Sequence, residues 1–196
     1  MAKNESIKIL TGPCFARYVR LDEEETYEGA GTGKISCPVV FEGKSLEDMS
    51  KSIADFIADT FPPKKAAEVV SPFKTAKDGT LFIKFQTYLF AKDKVTKKPV
   101  PVYDAKGKPV KNPPKIGNGS KLILRGSIEA YEHKGKDKVR CWLSSVQIVK
   151  LNEFQEGGGF APVDDEDAYD PDEFAADSVA PAEDGDPGHS GESVDF

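Results

Sequence analysis

A chain of 196 residues with 38% hydrophobic and 31% charged residues has room for one packed domain and an appendage. No run approaches the ~18 consecutive apolar residues of a spanning helix, and Met1-Ala2-Lys3-Asn4-Glu5 lacks the apolar stretch of a secretory leader. The expectation is therefore a cytoplasmic chain with no membrane partner. The net charge of −6 conceals two opposite regions. Residues 156–196 hold fourteen carboxylates and no Lys or Arg, so residues 1–155 keep all 27 basic residues against the remaining 19 of 33 acidic ones, a net of +8. Within 71–150 the imbalance grows to 18 basic against 6 acidic residues.

In chain order, the first alternation runs from Pro13 to Leu21, with Phe15, Val19 and Leu21 on one parity and Cys14, Tyr18 and Arg20 on the other. Asp22-Glu23-Glu24-Glu25 reads as an exposed acidic loop. Lys34–Glu42 reads as a strand whose Ile35, Cys37, Val39 and Phe41 share a face. Ser45 is placed as a helix N-cap with Asp48 in the capping-box position. Leu46, Met49, Ile53, Phe56 and Ile57 then recur at helical spacing until Pro62-Pro63, predicting a helix that caps the core. Thr80–Ala91 alternates most clearly, with Leu81, Ile83, Phe85 and Leu89 against Phe82, Lys84, Gln86, Tyr88 and Phe90.

A short strand is predicted over Val100–Tyr103. Ser120–Tyr131 follows, with Leu122, Leu124 and Ile128 inward and Lys121, Arg125 and Tyr131 outward. Val139–Leu151 closes the set, and its apolar parity shifts at Ser144-Ser145, predicting a bulge. Beyond the Gly157-Gly158-Gly159 hinge the chain is too polar to offset the cost of ordering and reads as disordered. The expected architecture is mainly β: a five- to six-stranded barrel of OB-fold type over residues 1–155, with an SH3-like barrel or a sandwich as alternatives, one capping helix, and a disordered acidic tail over 156–196 ending in Phe.

Catalysis finds little support. The two histidines are His133 in a basic turn and His189 in the tail. Cys14, Cys37 and Cys141 are odd in number and widely spaced, the pattern of small buried hydrophobes rather than of a zinc site or disulfide framework. Gly29-Ala30-Gly31-Thr32-Gly33-Lys34 fails as a phosphate loop, since Ile35 replaces the magnesium-binding Ser or Thr and a strand follows. No cofactor is expected, and the chain is not read as an enzyme.

The positive signal is basic residues interleaved with aromatics on the outward parity. Binding single strands without regard to sequence needs cations for phosphates and flat rings on which bases stack, at ~1–3 kcal/mol per base. Arg17, Tyr18, Lys84, Tyr88, Phe90, Lys92, Lys94, Tyr103, Lys121, Arg125, Tyr131, Arg140 and Trp142 are the candidates. The lysine-rich, proline-rich stretch Lys92–Lys115 reads either as a solvated run of charge or as a groove tracking the nucleic-acid backbone. An RNA-binding barrel and an acidic-tailed protein-interaction module remain open alternatives.

The sequence also carries a resemblance. Thr80-Leu81-Phe82-Ile83-Lys84-Phe85, Lys92-Asp93-Lys94-Val95-Thr96-Lys97, Val102-Tyr103-Asp104-Ala105-Lys106-Gly107-Lys108 and Ile116-Gly117-Asn118-Gly119-Ser120-Lys121-Leu122 resemble the single-stranded DNA-binding proteins of T-odd bacteriophages (the T-seven type). Leu143-Ser144-Ser145-Val146, the triple glycine and the closing Asp195-Phe196 do so as well. The resemblance implies an OB-fold that coats single-stranded DNA during phage replication, recombination and repair in the cytoplasm of the infected bacterial host. It further implies a tail that contacts the phage DNA polymerase and helicase–primase through Asp195 and Phe196, and often a homodimer. The charge division suggests that the tail competes with DNA for the basic body.

Overall fold

The alternating segments between Cys14 and Lys150 become five strands that close on one another. The computed structural model describes residues 5–27, 29–91, 93 and 95–152. The expected tail, with Asp195 and Phe196, lies outside the described residues, as do Lys92 and Lys94. In chain order the elements are β1 (Ser6–Leu10), β2 (Cys14–Ala16), β3 (Thr26–Tyr27), β4 (Ala30–Gly31), β5 (Lys34–Val40), α1 (Gly43–Thr60) and α2 (Pro63–Ala66). They continue with β6 (Phe73–Thr75), β7 (Leu81–Tyr88), β8 (Val102–Tyr103), β9 (Lys121–His133) and β10 (Lys136–Lys150).

The ring runs β9-β2-β5-β7-β10 and returns to β9. Each of its pairings is antiparallel except β7 with β10, which is parallel and sets Cys141 beside Phe85 and Trp142 beside Gln86. This is an OB-type barrel. Strands β1, β6 and β8 are additions on β9, β7 and β10, and β3–β4 is a separate hairpin. Its interior is filled by one parity of every ring strand: Ile35, Cys37 and Val39, then Ile83 and Phe85, then Leu122, Leu124 and Ile128, then Cys141 and Leu143. The three cysteines are core hydrophobes. Burial pushes the thiols of Cys14 and Cys141 up to about 12 and that of Cys37 well above its ordinary value.

Closing so small a barrel requires β9 and β10 to coil sharply. The bulge expected at Ser144-Ser145 is present, because Leu143 pairs with Gly126 while Ser145 pairs with Arg125. At the same place the Trp142 carbonyl oxygen comes so close to Gly126 that no Cβ fits there. Ser120, fully buried, ties the barrel's end: its hydroxyl donates to Gly117 O at 2.8 Å and accepts the Asn152 N–H at 2.9 Å.

Four expectations differ from the structure. First, α1 begins at Gly43, two residues before Ser45, with Glu42 as N-cap and no side-chain cap, so the Ser45–Asp48 box does not form. Ser45 instead packs against Gly12, where a Cβ would come within 2.7 Å of its hydroxyl. The buried stripe Met49, Ile53 and Phe56 is as predicted. Second, the parity of the first strand is reversed: Cys14 and Ala16 are buried, and Phe15 is only partly so. Three residues are too few to establish a phase. The strand stops before Tyr18, whose φ of 52° turns the chain, and Val19 and Leu21 reach the core from beyond that turn. Third, Ser6–Leu10 is a strand not expected from the sequence, five residues long and largely exposed. Fourth, the glycine-rich stretch before Lys34 is the β3–β4 hairpin, and the acidic run beside it is partly engaged: Glu24 accepts the Gly33 N–H at 2.6 Å.

Candidate nucleic-acid interface

Outward residues of the ring strands meet on one face because of the register. Lys34 opposes Tyr88 between β5 and β7, Trp142 stands beside Gln86 between β7 and β10, and Lys138 opposes Tyr131 between β10 and β9. The result is a continuous stack. The Arg140 guanidinium lies 4.5 Å from the Tyr131 ring centre and 4.6 Å from that of Trp142. Trp142 meets Tyr88 at 5.5 Å with a 33° tilt, and the Lys34 ammonium lies 5.6 Å from the far ring, Tyr88. Each such cation–ring contact contributes ~0.5–1 kcal/mol at an exposed site. Tyr88 is the most open ring of the set, 52% exposed.

Glu129 orients the centre of this stack. One of its oxygens accepts from Arg140 Nε at 2.7 Å and also from the Trp142 indole N–H. Burial alone would raise its pKa, but the bonds from Arg140 and Trp142 outweigh it and hold the carboxyl below its ordinary range. Arg140 spends Nε on this bond. Its two terminal nitrogens have no ion-pair partner among the described residues.

A second group lies along β7 and β6. Lys74, on β6 opposite Phe82, is exposed, and its pKa is lowered first by partial loss of hydration and then by the charges of Lys84 and Lys138. Glu25 partly neutralises the group. It binds Lys84 Nζ at 2.5 Å and accepts the Ser36 hydroxyl at 2.5 Å. Burial would raise Glu25, and the contacts with Lys84 and Ser36 override it and lower the pKa. Lys84 and Lys74 share the one carboxylate of Glu25, and Lys138 adds a third positive charge beside Lys74, an excess that an added phosphate would relieve.

Of the residues expected from sequence, the structure brings together Lys84, Tyr88, Tyr131, Arg140 and Trp142. Arg17 and Tyr18 form a neighbouring pair, the guanidinium 5.6 Å from the ring. Arg17 also bonds Asp78 at 2.9 Å, and Asp78 is held down at about 2 first by the Thr80 backbone N–H and then by Arg17. Tyr18 is 68% exposed, with its N–H bonded to Asn118. The others stand apart. Phe90 lies past the end of β7, bridges to Lys97 and packs partly against the core. Tyr103 sits on β8 beside Gln147. Lys121 is ten residues along β9 from Tyr131, roughly 33 Å of extended strand, and Arg125 pairs with Leu10 near the bulge. Lys34, Lys74, Glu25 and Glu129 were missed. Lys34 was legible only as an outward residue of a strand whose neighbours were unknown, and Lys74 lies on β6, a three-residue strand that no sequence pattern marked.

Among the described residues no group of three or more His, Cys, Asp or Glu could hold a metal, and no helix is long and apolar enough to cross a membrane.

Residues 55–151 match the family described as single-stranded DNA-binding protein of bacteriophage T7. The chain is 38% identical over 103 residues to the single-stranded DNA-binding protein of Escherichia phage T7, covering 50% of this chain and 44% of that protein. It is also 38% identical over 93 residues to the corresponding protein of Enterobacteria phage T3, covering 44% of this chain and 40% of the relative. The matched part therefore spans less than half the length of either relative. Among solved structures the chain is similar to T7 gp2.5, a single-stranded DNA-binding protein, at TM-score 0.60 and 22% identity, over 93% of this chain and 100% of that one. It is similar also to the single-stranded DNA-binding protein of bacteriophage Enc34 in complex with single-stranded DNA, at TM-score 0.55 and 16% identity, over 74% and 88%. At these identities the structural matches establish the shared fold.

Proposed function

We propose, from the premise that this chain is related over residues 55–151 to the T7 type of phage single-stranded DNA-binding protein, that it binds single-stranded DNA without sequence preference. The observation that carries this reading is the Tyr131–Arg140–Trp142–Tyr88–Lys34 stack on a basic barrel face. Bases stack on the rings, with Tyr88 the most accessible, and phosphates take the terminal nitrogens of Arg140 and the Lys74–Lys84–Lys138 group. Binding displaces Glu25 from Lys84, exchanging an internal counter-ion for a phosphate. Arg17 and Tyr18 extend the track on one side. The role is binding without catalysis and calls for no cofactor.

In this proposal residues 1–155 form the DNA-binding domain and 156–196 an acidic arm. The arm competes with DNA for the +8 body and, once displaced, offers Asp195 and Phe196 to the phage DNA polymerase and helicase–primase. A homodimer and action in the cytoplasm of the infected host belong to the same reading. Truncation at Gly157 should tighten single-strand binding at low salt; unchanged or weaker binding would remove the competition from the proposal.

The deciding experiment uses Trp142, the only tryptophan of the chain. Titration with poly-dT should quench its fluorescence, with duplex DNA and RNA of equal length binding more weakly. Equal binding of duplex would refute the stacking role, and preference for RNA would reassign the ligand.

A further inference from the structure

The face between β1 and α1 has no part in the proposed DNA track. Strand β1 is the end strand of the sheet, paired on one edge with β9 and on the other with nothing among the described residues. The Ala130 N–H donates to Glu5 O and the Thr11 N–H to Leu124 O, so the alternation of an antiparallel ladder turns Ile7 and Ile9 toward β9 as well. Ser6, Lys8 and Leu10 therefore point their N–H and C=O groups away from the sheet. A groove of about 810 Å³ runs along this open edge against α1. Met49 and Phe56 reach its floor with only their edges showing, 5% and 3% exposed, and the open apolar surface comes from the strand, where Ile7 is 41% exposed and Leu10, of the opposite parity, 67%.

The far wall is acidic. Asp48, Ser52, Asp55 and Asp59 fall at intervals of four, three and four residues, one stripe of α1, and all line the groove. None of the three carboxylates has an ion-pair partner among the described residues. Glu5 adds a fourth negative charge, and Lys8 is the one cation in the lining among the described residues. An open strand edge, an apolar floor and an unneutralised acidic wall describe a receptor for an extended chain segment.

We propose that this groove binds an extended peptide of alternating basic and apolar residues from a partner protein, added as a strand to the open edge of β1. Backbone bonds to Ser6, Lys8 and Leu10 fix its path. Apolar side chains of one parity cover the floor, and the basic ones meet Asp48, Asp55 and Asp59. The charge favours such a segment over a second copy of this chain, whose own acidic wall would be brought against this one.

The test is a titration of the full chain, uniformly labelled with nitrogen-15, with the synthetic peptide Lys-Val-Lys-Val-Lys-Val-Lys, read by NMR. The Ser6, Lys8 and Leu10 amides should shift and their exchange with solvent slow. Asp48→Asn/Asp55→Asn/Asp59→Asn should weaken binding roughly tenfold. Lys8→Pro, which removes the central outward N–H, should abolish it; the unchanged amide spectrum of β9 and β10 reports intact folding. Shifts confined to residues 156–196, or wild-type binding by both variants, would overturn the proposal. So would protection of the same three amides with rising protein concentration and no peptide, which would make a second copy the occupant.

Discussion

The stretch from Ala91 to Lys115 and the stack on β5, β7, β10 and β9 both combine cations with rings, yet the fold treats them differently. In the loop, Lys97, Lys98, Lys106, Lys108 and Lys111 are exposed, and the order belongs to the turns beneath them. Asp104 accepts the N–H groups of Lys106 and Lys108, and Asp93 those of Val95 and Thr96. In the stack, Arg140 and Lys34 lie against rings, and Glu129 fixes the guanidinium and the indole together. Loop charge attracts a polyanion from a distance and holds it in no particular pose. The stack is already arranged for flat ligands, so little side-chain freedom is lost on binding.

The largest separation between the two regions should come from Trp142→Ala. It removes a stacking surface and leaves Arg140 and Tyr88 without their common neighbour, so poly-dT affinity should fall by ~1–3 kcal/mol, about fivefold to 150-fold, at fixed salt. Anisotropy of a labelled oligonucleotide reads this directly, and a loss no greater than that of a loop lysine would erase the distinction. Next in size, Lys74→Ala with Lys84→Ala should lower the slope of log affinity against log salt by roughly 0.7 for each phosphate no longer neutralised. Lys106→Ala with Lys108→Ala should change the slope less, and should leave the depth of the Trp142 quench untouched. Equal slopes for the two pairs would show that the loop tracks the backbone as closely as the strand face does.

The smallest effect is on stability. Glu25 and Glu129 both have carboxyl pKa values lowered from the ordinary 4.5 in the folded chain. Their contribution is complete above that value and is lost as pH falls through the folded values. Both groups are partly exposed, so solvent screening keeps the loss modest. Urea unfolding from neutral pH to about pH 3 should show a shallower decline for Glu25→Gln and Glu129→Gln than for the parent chain. A parallel decline would assign no such role to these pairs.

By itself the sequence determined the class of fold, the inward residues of the long strands, the existence of α1 and the bulge at Ser144-Ser145. Alternation over seven or more residues, or a helical stripe, fixes a phase that burial then obeys. It also determined that the body is basic and that Tyr88, Tyr131, Arg140 and Trp142 face outward. Short elements escaped it: β1 is largely exposed, and β2, at three residues, carried too little alternation to show its parity. Only the tertiary structure decided which outward residues are neighbours. Parity assigns a face within a strand, but adjacency depends on non-local register. The parallel pairing of β7 with β10 brings Trp142 to Tyr88, while the same face of β9 carries Lys121 and Arg125 away from Tyr131. The same closure leaves β1 with one open edge beside the acidic stripe of α1. No local pattern encodes that arrangement, because it follows from where the ring closes.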